Sequence, residues 1–239
     1  MTLEEWQIAL RREYGQSQEF KVKNLGVEAI FSDFEVENPK TRRRYRVCIR
    51  GNAPGVNYCS CPDFAVNTLG TCKHIEWLLS KLVRKRGGKR AFQEGYHPPF
   101  SEVYLEYGLK RQVRFQAGQA SPDALHRLAE AYFDANGALR ADKYLSFEQF
   151  VRQFHKIDPE GRIYEDVLAF VARVRDDARR SEAIDALFKG GNKSAVFKKL
   201  VKADLYPYQQ QGAIFAARTG RCLIADDIGL GKTVQAIAA

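Results

Sequence analysis

The chain has 239 residues, 45% of them hydrophobic and 28% charged, with five cysteines and a formal net charge of +9. That length allows one or two buried cores, and the composition is that expected of a soluble protein. No apolar run reaches membrane-spanning length and Met1-Thr2-Leu3-Glu4-Glu5-Trp6 is no secretory signal, so an intracellular setting without a membrane partner is expected.

The charge is uneven. Thirteen Lys or Arg fall between Lys40 and Arg90 against two acids, Asp63 and Glu76, while the rest of the chain holds 25 basic and 27 acidic residues. Such a segment points to a polyanion partner, because Lys and Arg that neutralise phosphates release condensed counterions; the alternative is a solvated basic face.

After an N-terminal helix over residues 1–19, two alternating stretches predict half-buried strands. In the first, Ile30, Phe34 and Val36 alternate with Asp33 and Glu35; in the second, Tyr45, Val47 and Ile49 alternate with Arg44, Arg46 and Cys48. The turn signal Asn38-Pro39-Lys40 joins them into a hairpin. Cys59-Ser60-Cys61 then precedes a ten-residue loop and Cys72-Lys73-His74. Three thiolates and one imidazole are a tetrahedral set suited to structural zinc, with no position left open for a substrate. The spacing by two places Cys59 and Cys61 on one side of an extended strand end. Cys72 and His74 converge from the entrance of a helix, with Thr71 as its N-cap and Ile75, Leu78, Leu79 and Leu82 along its apolar stripe. Cys48 and Cys222 read as core residues, and His97, His126 and His155 have no partner at metal spacing.

The Cys-x-Cys, loop, Cys-x-His arrangement resembles the SWIM-type zinc finger, and the resemblance implies binding of DNA or of a protein partner. Basic residues bracket it: Arg42, Arg43, Arg44 and Arg46 on one side, and Lys81, Arg84, Lys85, Arg86, Lys89 and Arg90 on the other. Few Asn or Gln are interleaved to read base edges, so contact with the DNA backbone is expected.

Gly87-Gly88 and His97-Pro98-Pro99 mark a boundary, and residues 121–203 read as helices. Ser121-Pro122-Asp123 opens one, Ser146 with Gln149 forms a capping box for the next, and a third pattern runs through Tyr164, Val167, Leu168, Val171 and Val174 to end near Gly190-Gly191-Asn192. These stripes read as core packing.

The last 35 residues carry the other specific signal. Cys222-Leu223-Ile224-Ala225 predicts a strand, followed by Asp226-Asp227-Ile228-Gly229-Leu230-Gly231-Lys232-Thr233 and a new helical pattern, the strand-loop-helix context of a phosphate-binding loop. Gly229 and Gly231 allow close approach of the backbone to a phosphate. Asp226 stands where a generic loop has Gly. The first strand of a parallel sheet needs neighbours for its backbone groups, so the chain is expected to be the front of a larger protein.

Together with Leu205-Tyr206-Pro207-Tyr208-Gln209-Gln210-Gln211-Gly212 upstream, this segment resembles the Swi/Snf-type DNA translocases. The Asp226-Asp227 pair and the Gly220-Arg221-Cys222-Leu223 lead-in look more like the annealing-helicase branch. The resemblance implies that Gln209 reads adenine, that the loop from Asp226 through Gly229, Leu230 and Gly231 surrounds the phosphates of ATP, that Lys232 reaches the terminal phosphates and that Thr233 holds magnesium. It covers about 35 residues and lacks the acidic box, the second lobe and its arginine fingers, so no catalytic residue is expected within the chain.

The expected fold is an α+β zinc module of strands, zinc loop and helix over 20–90, a linker and mainly α-helical region over 91–203, and the first strand-loop-helix of a RecA-like α/β ATPase lobe over 204–239. The expected function is the N-terminal part of a zinc-containing ATPase that moves along double-stranded DNA or remodels protein–DNA complexes. The competing reading is a zinc-dependent DNA- or protein-binding adaptor without ATPase activity. A bacterial source, with a cytoplasmic, nucleoid-associated location, is the accompanying expectation.

Overall fold

A computed structural model describes residues 1–191 and 194–239, which form two compact bodies, Met1–Val167 and Leu168–Ala239. In the first, α1 (Leu3–Gln16) is followed by a four-stranded antiparallel meander of β1 (Lys21–Asn24), β2 (Asp33–Glu37), β3 (Arg44–Cys48) and β4 (Tyr58–Cys59). The expected hairpin is present, with Phe34 opposite Val47 and Val36 opposite Tyr45. Because strand side chains alternate, this register puts Phe34, Val36 and Val47 on the core face and Asp33, Glu35, Glu37, Arg44 and Arg46 on the other.

The core face packs on α3 (Lys73–Arg84) through Ile75, Trp77, Leu78 and Leu82, with Phe20 and Phe64 closing the ends. Between them lies the short α2 (Pro62–Val66). α1 lies against α3, and Gly15 makes the approach possible: a Cβ there would stand 2.6 Å from the Lys73 carbonyl oxygen. One ion pair joins the two helices, Arg12 to Glu76 at 2.8 Å, and a second, Arg11 to Asp63 at 2.9 Å, joins α1 to α2.

Residues 91–120, expected as linker, hold α4 (Gly88–Glu94) at their start and then a β-hairpin, β5 (Glu102–Glu106) and β6 (Gln112–Gln116). With β7 (Arg162–Ile163), parallel to β5, they make a second, mixed sheet of order β6-β5-β7. Val103, Leu105 and Val113 from it are buried; α5 (Asp123–Tyr132) and α6 (Phe147–Ile157) follow, with Phe147, Phe150 and Phe154 of α6 fully buried, and the Phe133 ring meets both Phe115 of β6 and Phe150. Ser146 does not form the expected capping box; its hydroxyl donates instead to the Lys143 carbonyl across a preceding 3-10 turn.

The two sheets of this body are tied at Arg50. Its guanidinium is buried, pairs with buried Glu102 at 3.1 Å, and lies over the rings of Tyr104 and Tyr164, while Tyr164 Oη donates to Glu102 at 2.8 Å. A second tie is backbone to backbone. Gly55 N–H donates to Gly70 O and Tyr107 N–H to Gly55 O, each at 2.9 Å, and both glycines have φ in the left-handed region, at +94° and +67°.

α7 (Glu165–Leu187) begins at the end of the first body. The expected end of that helix near Gly190-Gly191-Asn192 lies three residues beyond the observed one, and Asn192 is outside the described residues. The second body also contains α8 (Phe197–Leu200), α9 (Pro207–Thr219) and α10 (Lys232–Ala238) around Phe188, Phe197, Leu205, Ala213, Ile214 and Ala238. The strand expected at Cys222–Ala225 is not formed. No strand lies beside it among the described residues of this body, so its backbone has no ladder to join. Cys222, expected in a core, is exposed, whereas Cys48 is buried as expected. Among the described residues, no helix is long and apolar enough to cross a membrane.

Candidate metal centre and nucleotide loop

Cys59 is the last residue of β4, Cys61 caps α2, Cys72 caps α3 and His74 lies in the first turn of α3. Strand pairing of Cys59 with Val47 and the Pro62-initiated turn bring the first two ligands to the entrance of the helix that carries the others. All four are buried, and one potential ligand atom from each lies within 4.8 Å of every other. His74 Nδ1 is 3.8 Å from Cys59 Sγ and 3.9 Å from Cys72 Sγ. A tetrahedron with zinc–sulfur bonds near ~2.3 Å has edges of roughly 3.8 Å, so the donor set and its size fit a zinc ion.

The electrostatics agree. Burial pushes the Cys59 and Cys72 thiols well above the ordinary thiol range, and hydrogen bonds from those same two thiols hold Cys61 well below it. Metal binding needs deprotonated ligands, so a divalent ion here would be held by thiolates.

The surrounding shell was largely illegible in the sequence. Thr71 is not the helix cap: Cys72 takes that place, and the Thr71 hydroxyl donates to Glu76 Oε1 at 2.8 Å, Glu76 in turn accepting from Arg12. The His74 ring packs between Phe20 and Tyr45, at centroid distances of 5.0 and 4.7 Å, and Phe20 meets Trp77 edge-on.

The basic residues flanking the centre divide into two groups. Arg44 pairs with Glu37 at 2.8 Å, Arg46 with Asp33 at 2.9 Å and Arg90 with Glu94 at 2.6 Å. Lys85 donates to the Ala29 carbonyl and Lys81 lies over Trp77. Arg42 and Arg43 at the tip of the β2–β3 hairpin, and Arg84, Arg86 and Lys89 at the end of α3 and the start of α4, are exposed and carry no ion pair among the described residues.

In the second body the two C-terminal motifs meet. Gln209, in the first turn of α9, accepts at Oε1 from the Tyr206 N–H at 3.0 Å and donates from Nε2 to the Leu230 carbonyl at 3.2 Å. Tyr208 Oη donates to the same carbonyl at 3.1 Å. Gly229 and Gly231 adopt φ of +90° and +72°, conformations that favour glycine, and a Cβ on Gly231 would stand 2.5 Å from Gln209 Nε2. Lys232 Nζ donates to the carbonyls of Asp226 at 2.8 Å and Asp227 at 3.0 Å. Thr233 follows it in the first turn of α10.

Gln235 did not stand out in the sequence. It is buried, and its Nε2 donates to Asp226 Oδ2 at 2.5 Å. The available signal was a polar side chain on the helix face that also carries Val234 and Ala238.

No family model matches the chain, and no solved structure does. Short local matches to curated proteins exist. One is 58% identical over 38 residues to the human "DNA annealing helicase and endonuclease ZRANB3", covering 16% of this chain and 4% of that protein. Another is 62% identical over 34 residues to the Caenorhabditis elegans homologue of "SWI/SNF-related matrix-associated actin-dependent regulator of chromatin subfamily A-like protein 1", covering 14% and 5%. The bovine protein of that name is 58% identical over 45 residues, covering 18% and 5%. The chain thus spans about one twentieth of the length of these relatives. Over one short stretch it is similar to SWI/SNF-family helicase-like proteins, and it holds a Cys3His cluster that fits a zinc finger.

Proposed function

We propose that the whole protein is a DNA-dependent ATPase of Swi/Snf type, a translocase or remodelling enzyme acting on double-stranded DNA, with a zinc-bound SWIM-type finger over residues 20–90. Residues 204–239 would be the start of its RecA-like lobe, and we take the matched stretch to be this segment. The observation that carries the reading is the hydrogen bond from Gln209 to Leu230, which joins the adenine-type motif to the phosphate-type loop in one body.

On this reading Gln209 exchanges its bonds to Tyr206 and Leu230 for the donor and acceptor of an adenine edge. Lys232 leaves the carbonyls of Asp226 and Asp227 for the terminal phosphates, and Thr233 holds magnesium. Bound magnesium-ATP supplies the phosphoanhydride; the chain's part is to bind and orient it. Cys59, Cys61, Cys72 and His74 hold zinc as a closed, structural set that fixes β4, α2 and α3. Arg42, Arg43, Arg84, Arg86 and Lys89 would meet the DNA backbone or an acidic protein partner.

The test is ATP hydrolysis by the full-length protein with and without double-stranded DNA. The expected result is DNA-stimulated turnover that Lys232→Ala abolishes. Folded, zinc-loaded protein with no turnover in the presence of DNA would instead leave a zinc-dependent binding adaptor.

A further inference from the structure

We propose that Gln235 is a positioning residue of the nucleotide loop: it pins the Asp226 carboxylate, which keeps an acid at the mouth of a phosphate site from opposing the phosphates. The inference rests on the nucleotide reading of residues 204–239.

A phosphate cradle works by presenting N–H donors and a lysine to an anion, so a free carboxylate at its first position is repulsive. This chain has Asp226 there. Its carboxylate receives a 2.5 Å hydrogen bond from Gln235 Nε2, and Gln235 is 1% exposed, so the donor cannot be replaced by solvent without opening the body.

The other end of the Gln235 carboxamide explains Gly212. A Cβ at that position on α9 would stand 1.9 Å from Gln235 Oε1, so the absence of a side chain at 212 is what lets the carboxamide enter between α9 and the loop. Gln209 and Tyr208, on the same helix, hold the Leu230 carbonyl at the far end of the loop. The loop is therefore held at both ends, at Asp226 by Gln235 of α10, which lies against Gly212 of α9, and at Leu230 by Gln209 of α9. That arrangement keeps the spacing between the adenine-reading residue and the phosphate-binding residues constant.

An amide suits this role and its neighbours in chemistry do not. Glutamate would repel Asp226, and an apolar side chain of equal volume would leave the carboxylate without its donor.

The experiment measures binding of a fluorescent ATP analogue with magnesium by the full-length protein. Wild type is compared with Lys232→Ala, Gln235→Ala, Gln235→Met, Asp226→Asn and Asp226→Asn combined with either Gln235 variant, with circular dichroism confirming fold. Gln235→Met keeps the volume should the alanine variant fail to fold. The expected result is binding weakened about tenfold by losing Gln235, the scale of one charge-assisted hydrogen bond. Asp226→Asn in the same chain should restore binding to within about threefold of wild type, because it removes the charge that Gln235 restrains. A buried residue with only a packing role would show no such rescue. Binding within twofold of wild type in both Gln235 variants overturns the proposal, as does a double variant no better than the single. Loss of the underlying reading looks different: wild type would then show no binding that depends on Lys232, and the proposal would fall with it.

Discussion

Cys59, Cys61, Cys72 and His74 are buried within reach of one another and could hold a zinc ion, a set of residue types and spacings that metal binding demands. The residues that support the cluster follow no such spacing. Thr71 has the chemistry of a helix cap, yet Cys72 occupies that position and Thr71 orients Glu76, a choice made by a contact from α1 that no local pattern reveals. Arg44 and Arg46, expected as phosphate contacts, are set by strand register beside Glu37 and Asp33, partners that no local pattern names. Removing one ligand should release the rest of the site. Cys72→Ser is expected to reduce bound zinc from one per chain to a small fraction, measured by atomic absorption, and to unfold the β1–β4 module, measured by circular dichroism. Unchanged zinc content would reject the ligand assignment.

Elements with strong alternation or helical period were readable, and those defined by distant partners were not. The β2–β3 hairpin follows from Phe34, Val36, Tyr45 and Val47, whereas the β5–β6 hairpin, with Val103 and Leu105 against Phe115 and Val113 across Gly108, lies in the expected linker. The apolar run at Cys222–Ala225 failed in the other direction: it has strand composition and no partner in the described body. At Gly70 the contact between elements is backbone against backbone. A Cβ there would lie 2.5 Å from Gly55 N and 2.8 Å from Tyr107 O, with φ at +67°. Gly70→Ala should therefore cost about 2–4 kcal/mol, seen as a lower denaturant midpoint, because neither backbone can move without breaking the Gly55–Gly70 and Tyr107–Gly55 hydrogen bonds. A loss under 0.5 kcal/mol would mean that the loop yields freely.

At the scale of the molecule, the Cys3His cluster belongs to the body Met1–Val167 and the Gly229–Thr233 loop to Leu168–Ala239, each body with a core of its own. The sequence placed a boundary near residues 87–99, guided by Gly and Pro; the packing instead runs on through that region, because Arg50 with Glu102 and Gly55 with Tyr107 tie the zinc module to the second sheet. Metal removal should then act on one body. Trp77 is buried beside Phe20, whose ring contacts His74, while Trp6, the other of two tryptophans, is already 47% exposed on α1. Chelation is expected to move the emission of Trp77 to the red and leave that of Trp6 where it was; an unchanged spectrum after verified metal loss would show that the core holds without the ion. The second body has no tryptophan, so under excitation selective for tryptophan it does not contribute. The chain thus carries an intrinsic optical probe seated beside the Cys3His cluster, so that metal occupancy there can be followed by fluorescence, unlabelled.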